Sequence, residues 1–239
     1  MQQYFSDYPL RVGEEYYFKP KQAHHAKNVV RLKNEKVRLV HHGTGYFATC
    51  YGKGNDFVAM VDSVDDRINE IGVDITLAVA MIRKEKLEFV LQKAAELGVS
   101  RIVPFESSRC VAKYKREKGD KILKRYKEIL LEASEQCKRN IIPEIVLPVK
   151  LSELDKYTSE LNFVPYEDAY GKSEFLSAFL KEKKSVTVAI GPEGGFSDEE
   201  IGELSNKGFE QVTLGSRILR AETAAIYACS VISERFEML

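Results

Sequence analysis

The sequence predicts an α/β protein in two parts: a small β-barrel at the amino terminus, then a domain built on a parallel sheet covered by helices. Three observations carry this expectation. From Glu14 to Val64 short β-rich runs recur between glycine-containing turns, the spacing of a small barrel. Past about residue 72 apolar runs alternate with helical stretches, which calls for a parallel sheet with both faces covered. The run ITLAVAMI, residues 75–82, is apolar throughout, as a strand buried on both sides requires. The boundary is expected near residues 68 to 74, giving domains 1–71 and 72–239.

In the first domain EEYYF, KVRLV, GYFATCYG and DFVAMVDSV read as strands, and KQAHHAKNVVRLK as one helical interruption. The second opens with the 75–82 strand. EKLEFVLQKAAELG follows, with Leu87, Val90, Leu91, Ala94 and Leu97 on one helical stripe and Gly98 placed to end it. RIVPF returns as a strand and completes a β-α-β unit. A long charged helix is expected over 117–139. Then come LNFVPY, a helix near 173–182, VTVAIG, a helix from Asp198, FEQVTLG and a final helix. Residues 143–160 give no clear element. The final helix carries Ala224, Ala225, Ile226, Ala228, Cys229, Val231 and Ile232 around most of its circumference, so it should be buried on two sides. Its second side can face another subunit or the same chain.

The chain has 239 residues and is 44% apolar, enough for real cores. No run of about 18 apolar residues and no signal-peptide core appear, so a soluble, cytoplasmic protein without a membrane segment is expected. Cys50, Cys110, Cys137 and Cys229 show no paired spacing and read as free thiols. His24–His25 and His41–His42 are sequence neighbours, which point in different directions on a helix or strand; no metal site is expected.

Net charge is zero, but its distribution is uneven. Residues 19–38 carry Lys19, Lys21, Lys27, Arg31, Lys33, Lys36 and Arg38 against Glu35 alone. Residues 109–127 carry Arg109, Lys113, Lys115, Arg116, Lys118, Lys121, Lys124, Arg125 and Lys127 against Glu117 and Asp120. Residues 150–239 are acidic on balance. Basic runs can be solvated faces; two of them suggest a polyanion footprint.

Two loops stand at strand ends and open helices, where ligands of open α/β sheets gather. GPEGGFSDEE, 191–200, has a Ser197-x-x-Glu200 capping box. It matches neither GxxxxGK[ST] nor GxGxxG. Glu193, Asp198, Glu199 and Glu200 place acids at the positive end of the helix dipole, so phosphate is disfavoured and a neutral or cationic ligand suits the glycines. LGSRILRAETA, 214–224, sets apolar Leu214, Ile218 and Leu219 among Arg217, Arg220 and Glu222. That pattern fits either a slot for a flat aromatic group or a plug under the final helix.

These two loops, the helix EFVLQKAAELGV followed by IVPF and SSR, EQCKR ahead of IIPEI, and HHAKNVVRLK near the amino terminus together resemble the RsmE family of ribosomal RNA methyltransferases over essentially the whole chain. The resemblance implies an S-adenosyl-L-methionine-dependent enzyme that methylates N3 of a uridine in 16S ribosomal RNA of the small ribosomal subunit, acting as a homodimer. It implies a PUA-like RNA-binding barrel over 1–71 and a SPOUT-type α/β domain over 72–239 tied in a trefoil knot, which no periodicity reveals. Carried over by residue, the cofactor loops fall on Gly191, Pro192, Glu193, Gly194 and Gly195 and on Leu214, Gly215, Ile218, Leu219 and Arg220, joined by Val164 and Pro165. Ala221 stands where many relatives have threonine, and Cys137 where a small residue is common. The competing readings are another SPOUT RNA methyltransferase, with a transfer RNA or ribose 2′-hydroxyl target, and a noncatalytic RNA-binding protein of the same fold.

Uracil N3 must lose its imide proton before it can accept a methyl group, so a base or an anion-stabilising donor is needed. Arg220 is the candidate donor, and Glu193 or Glu222 the carboxylate assisting proton removal. Arg31, Arg109, Lys113 and Arg139 are the candidate RNA contacts.

Overall fold

The structure, a computed structural model, describes residues 1–114 and 116–239. Lys115 of the second basic run lies outside the described residues. The chain divides into one unit of Met1–Glu70 with Ser134–Ile141, and a second of Ile71–Ala133 with Ile142–Leu239. The return of residues 134–141 to the first unit is a feature the sequence patterns do not signal.

The first unit comprises β1 (Gln2–Phe5), β2 (Glu15–Tyr17), α1 (Pro20–His24) continued by a π-helical turn to Val30, β3 (Lys36–His41), β4 (Thr44–Lys53) and β5 (Asp56–Asp65). The sheet order is β1-β3-β4-β5-β2. Only β1 and β3 run parallel. A register shift at Phe47/Ala48 adds the bend that curls such a sheet. Its core gathers Tyr4, Tyr16, Phe18, Val37, Leu39, Phe57 and Val61.

Arg38 lies inside this unit, 1% exposed. Its Nε donates to Asp65 at 2.7 Å, and its Nη atoms reach Gln3 at 2.9 Å, Asn140 at 3.3 Å and the carbonyls of Arg67 and Lys138. A buried guanidinium needs its donors satisfied, and residues 138–140 supply two of the acceptors. Arg139 pairs with Glu70 at 2.6 Å and is 4% exposed. Two cations counted toward an RNA footprint, Arg38 and Arg139, are therefore internal: each is sequestered by a carboxylate. Arg31 and Lys113 are exposed.

The second unit runs β6 (Ile75–Ala80), α2 (Lys84–Glu96), β7 (Arg101–Glu106), α3 (Gly119–Cys137, whose residues from Ser134 on belong to the first unit), β8 (Glu144–Ile145), β9 (Val149–Lys150), β10 (Leu161–Pro165), α4 (Leu176–Phe179), β11 (Val186–Ile190), α5 (Asp198–Asn206), β12 (Glu210–Val212) and α6 (Ala221–Glu237). Its sheet order is β12-β10-β11-β6-β7-β8, with β9 also on β7, and every pairing is parallel. All six residues of β6 are buried. Ile75, Leu77 and Val79 join the cluster that holds α2 and α6, while Ala78 and Ala80 join the opposite one with Phe196 and Ile201, the two-sided burial its continuous apolar run requires.

Gly98 ends α2 at φ +79°. The amide of Val99 donates to Ala94 at 3.0 Å and that of Gly98 to Ala95 at 3.3 Å, the paired bonds of a left-handed helix stop. The α6 face bearing Ala225, Ala228, Cys229, Ile232 and Phe236 is buried within the chain. Burial pushes the Cys229 thiol up to about 12. Tyr227 remains exposed and Ile226 half-buried.

Candidate functional site

Strands β12, β10 and β11 are adjacent and parallel, so their carboxyl ends open on one edge of the sheet. The loops that follow them enclose a cavity of about 320 Å³, within the range of small-ligand sites. Pro165, Tyr166 and Glu167 line it after β10; Gly191, Pro192, Glu193, Gly195 and Phe196 after β11; Thr213 to Ala221, apart from Ser216, after β12. Lys86, Ile190 and Ala224 complete the wall.

The 191–197 loop is fixed from inside the protein. Ser197 Oγ accepts the Glu200 amide at 3.2 Å, and Glu200 Oε2 accepts the Ser197 amide at 3.0 Å, a complete capping box. The other Glu200 oxygen accepts the Ser108 amide at 2.7 Å. Burial raises the Glu200 carboxyl, but the amides of Ser108 and Ser197 outweigh it and leave it below its ordinary value. Arg109 Nη1 donates to the carbonyls of Gly194 at 3.3 Å and Phe196 at 3.1 Å. Phe196 lies parallel to Phe105 in the core. Gly195 turns the chain at φ +69°, a conformation costly for any residue with a Cβ.

The 214–220 loop presents its apolar side chains differently. Leu214 packs partly on the core, whereas Ile218 is 84% exposed. Ile218 is therefore no plug; with Leu214 and Leu219 it lines the cavity. Arg220 stands exposed at the N-cap of α6.

Charge around the cavity is mixed. Lys86, Arg217 and Arg220 face Glu167 and Glu193 as lining residues. Of Glu193, Asp198, Glu199 and Glu200 only Glu193 lines the cavity: Asp198 accepts the Tyr166 hydroxyl at 3.1 Å, and Glu200 serves the cap. What the lining provides is an apolar wall with both signs of charge beside it, which fits a flat-ringed ligand carrying charges of both signs, such as S-adenosylmethionine. Among the described residues no cluster of His, Cys, Asp and Glu is grouped to hold a metal ion.

An RNA methyltransferase domain model matches residues 69–233. The chain belongs to the RsmE family of RNA methyltransferases. It is 34% identical to Ribosomal RNA small subunit methyltransferase E of Mesomycoplasma hyopneumoniae over 83% of this chain and 85% of that one. It is 30% identical to the Bacillus subtilis protein of the same name over 100% and 98%. Among solved structures, RsmE from Neisseria gonorrhoeae bound to S-adenosyl methionine superposes with TM-score 0.88 at 27% identity, covering 98% of this chain and 97% of that one. A methyltransferase from Legionella pneumophila, in complex with SAM, gives TM-score 0.88 at 33% identity over 97% and 96%.

Within this RsmE fold most of the expected cofactor positions converge, and three expected site residues do not. Val164 is wholly buried in the core of β10 and does not reach the cavity. Gly194 packs against Arg109, whose Cβ would lie 3.2 Å from an added Cβ, and is not a lining residue. Glu222 sits behind the wall, paired with Lys86 at 3.1 Å. Burial raises the Glu222 carboxyl, but its own backbone amide, Lys86 and Arg220 bring it below the ordinary value. Lys86, Tyr166, Glu167, Thr213 and Arg217 line the RsmE cavity and are not among the site residues expected from the sequence. Tyr166 and Glu167 follow a strand end and could have been found by that rule; Lys86 occupies a polar position in the first turn of α2, which helix periodicity leaves unmarked.

Proposed function

We propose that this chain methylates N3 of a uridine in 16S ribosomal RNA, using S-adenosyl-L-methionine. The observation that carries the reading is the cavity at the ends of β10, β11 and β12, with Leu214, Ile218 and Leu219 beside mixed charge, in a chain whose relatives are named for small-subunit ribosomal RNA methylation. When bound, the cofactor supplies a methyl group activated on a sulfonium.

The residues divide the remaining work. Leu214, Ile218 and Leu219 would hold the adenine ring, and the backbone of the 191–195 and 214–219 loops would read its edges. Arg220 offers positive charge to the uracil carbonyls as the imide proton leaves. Glu193 holds the Arg83 amide through Oε1 at 3.2 Å and takes the imide proton on its carboxylate. Glu222, set behind the wall, orients Lys86 and leaves proton removal to Glu193.

The first unit serves as a PUA-like RNA-binding domain. Arg31 and Lys113, with the exposed lysines of their basic runs, neutralise phosphates. Two copies pair through the outward side of α6, where Ile226 and Tyr227 remain available. Among the described residues no helix is long and apolar enough to cross a membrane; the enzyme works in the cytoplasm, where its RNA is. Mass spectrometry of ribosomal RNA from cells lacking this protein tests the reading. One methyluridine in 16S RNA should disappear and return with the intact gene. An unchanged 16S RNA, or a methyl group lost from transfer RNA or a ribose hydroxyl, would contradict it.

A further inference from the structure

Lys86 stands apart from the other cations of the cavity. Arg217 and Arg220 are exposed, whereas the Lys86 side chain is 28% exposed and its ammonium lies 3.1 Å from Glu222 Oε1. The Glu222 side chain is 16% exposed, and its Oε2 is buried with no hydrogen-bond partner. An unsatisfied buried carboxylate oxygen is costly. Its retention makes sense if the carboxylate serves to hold the lysine in place. An ammonium has three donors, and Glu222 occupies one side of it, so Lys86 can still address a ligand.

A fixed cation suits a fixed anion. The methyl donor carries one permanent negative charge, the carboxylate of its amino-acid end. Two of the lining side chains, Glu167 and Glu193, repel that charge, and the apolar wall leaves it unpaired. The exposed arginines are free to meet a polyanion. We infer that Lys86, oriented by Glu222, is the residue that receives the α-carboxylate of the cofactor; this rests on the cofactor reading given above.

Calorimetry separates the two. The intact protein is titrated with S-adenosylmethionine and with its decarboxylated form, which keeps the adenosine, sulfonium and amine. The wild type should prefer the carboxylate-bearing ligand by about tenfold or more. Lys86→Met should lose that preference while its affinity for the decarboxylated ligand stays within about twofold. Lys86→Arg should recover part of it. Lys86→Gln gives a second reading should methionine disturb the packing of α2. If Lys86→Met weakens both ligands equally, or keeps the preference, the assignment is wrong while the cofactor reading stands. If the wild type binds neither ligand, the cofactor reading itself fails, and the assignment with it.

Discussion

Arg109 Nη1 donates to the carbonyl of Phe196 at 3.1 Å, tying the segment after β7 to the loop after β11. The same atom reaches Gly194 at 3.3 Å, so one exposed guanidinium holds both ends of the Gly195 turn. The sequence marks Arg109 as an RNA contact; in the structure its guanidinium braces the 191–197 loop. Arg109→Ala should weaken S-adenosylmethionine binding by about tenfold, the scale of losing charged hydrogen bonds, with a small change in Tm. An affinity equal to that of the wild type would remove this role.

Gly195 offers a separate test of the same loop. Its φ of +69° costs a residue with a Cβ about 1–2 kcal/mol, although an added Cβ would meet nothing closer than Glu167 Oε1 at 3.7 Å. Gly195→Ala should therefore act through the backbone, lowering cofactor affinity about tenfold. Titration of the variant with S-adenosylhomocysteine reads this directly.

The buried Arg38–Asp65 pair, with side chains 1% and 3% exposed, should dominate the acid stability of the first unit. Arg67 is the main influence holding the Asp65 carboxyl well below the usual carboxylate range; burial opposes it, and Arg38 adds to it. A depressed folded-state pKa gives stability that is complete above the unfolded value, near 3.8, and is lost as pH falls through the folded one. Asp65→Asn should cost about 3–5 kcal/mol at pH 7, with the deficit shrinking below about pH 4. Thermal melts of both proteins from pH 7 to pH 3 measure it.

The basic residues separate by burial. Arg31→Ala and Lys113→Ala should each weaken binding to ribosomal RNA and reduce the slope of log affinity against log salt by about one. Arg139→Ala should lower Tm, because it strands Glu70, and leave that slope unchanged in protein that remains folded. Filter binding across a range of salt distinguishes the three.

Much of this architecture was legible because the signals are local. The unbroken apolar run of β6, the stripe of α2 and the glycine at its end fix those elements without reference to distant parts of the chain. The capping box at Ser197 likewise reads directly. Strand β1 was missed because it is four residues long and places the polar Gln3 inside. Gln3 is buried because its amide nitrogen donates to the carbonyl of Arg139 at 2.7 Å and its oxygen accepts from Arg38. The expected helix near 173–182 contracts to α4, a single turn beside buried Leu176 and Leu180. Arg38 and Asn140 meet across 102 positions, a pairing no window of sequence contains, and so two basic residues looked like surface charge. In the site, the glycine and apolar loop positions were readable. Which acids face the cavity was not, since Asp198 and Glu200 take partners within the protein.

The most direct test is a crystal of this protein soaked with S-adenosylmethionine. The ligand should lie between the 191–195 and 214–220 loops, its ring against Leu214 and Leu219 and its methyl group toward Arg220. Density for it at another place, or ATP seated equally well in the same cavity, would contradict the account.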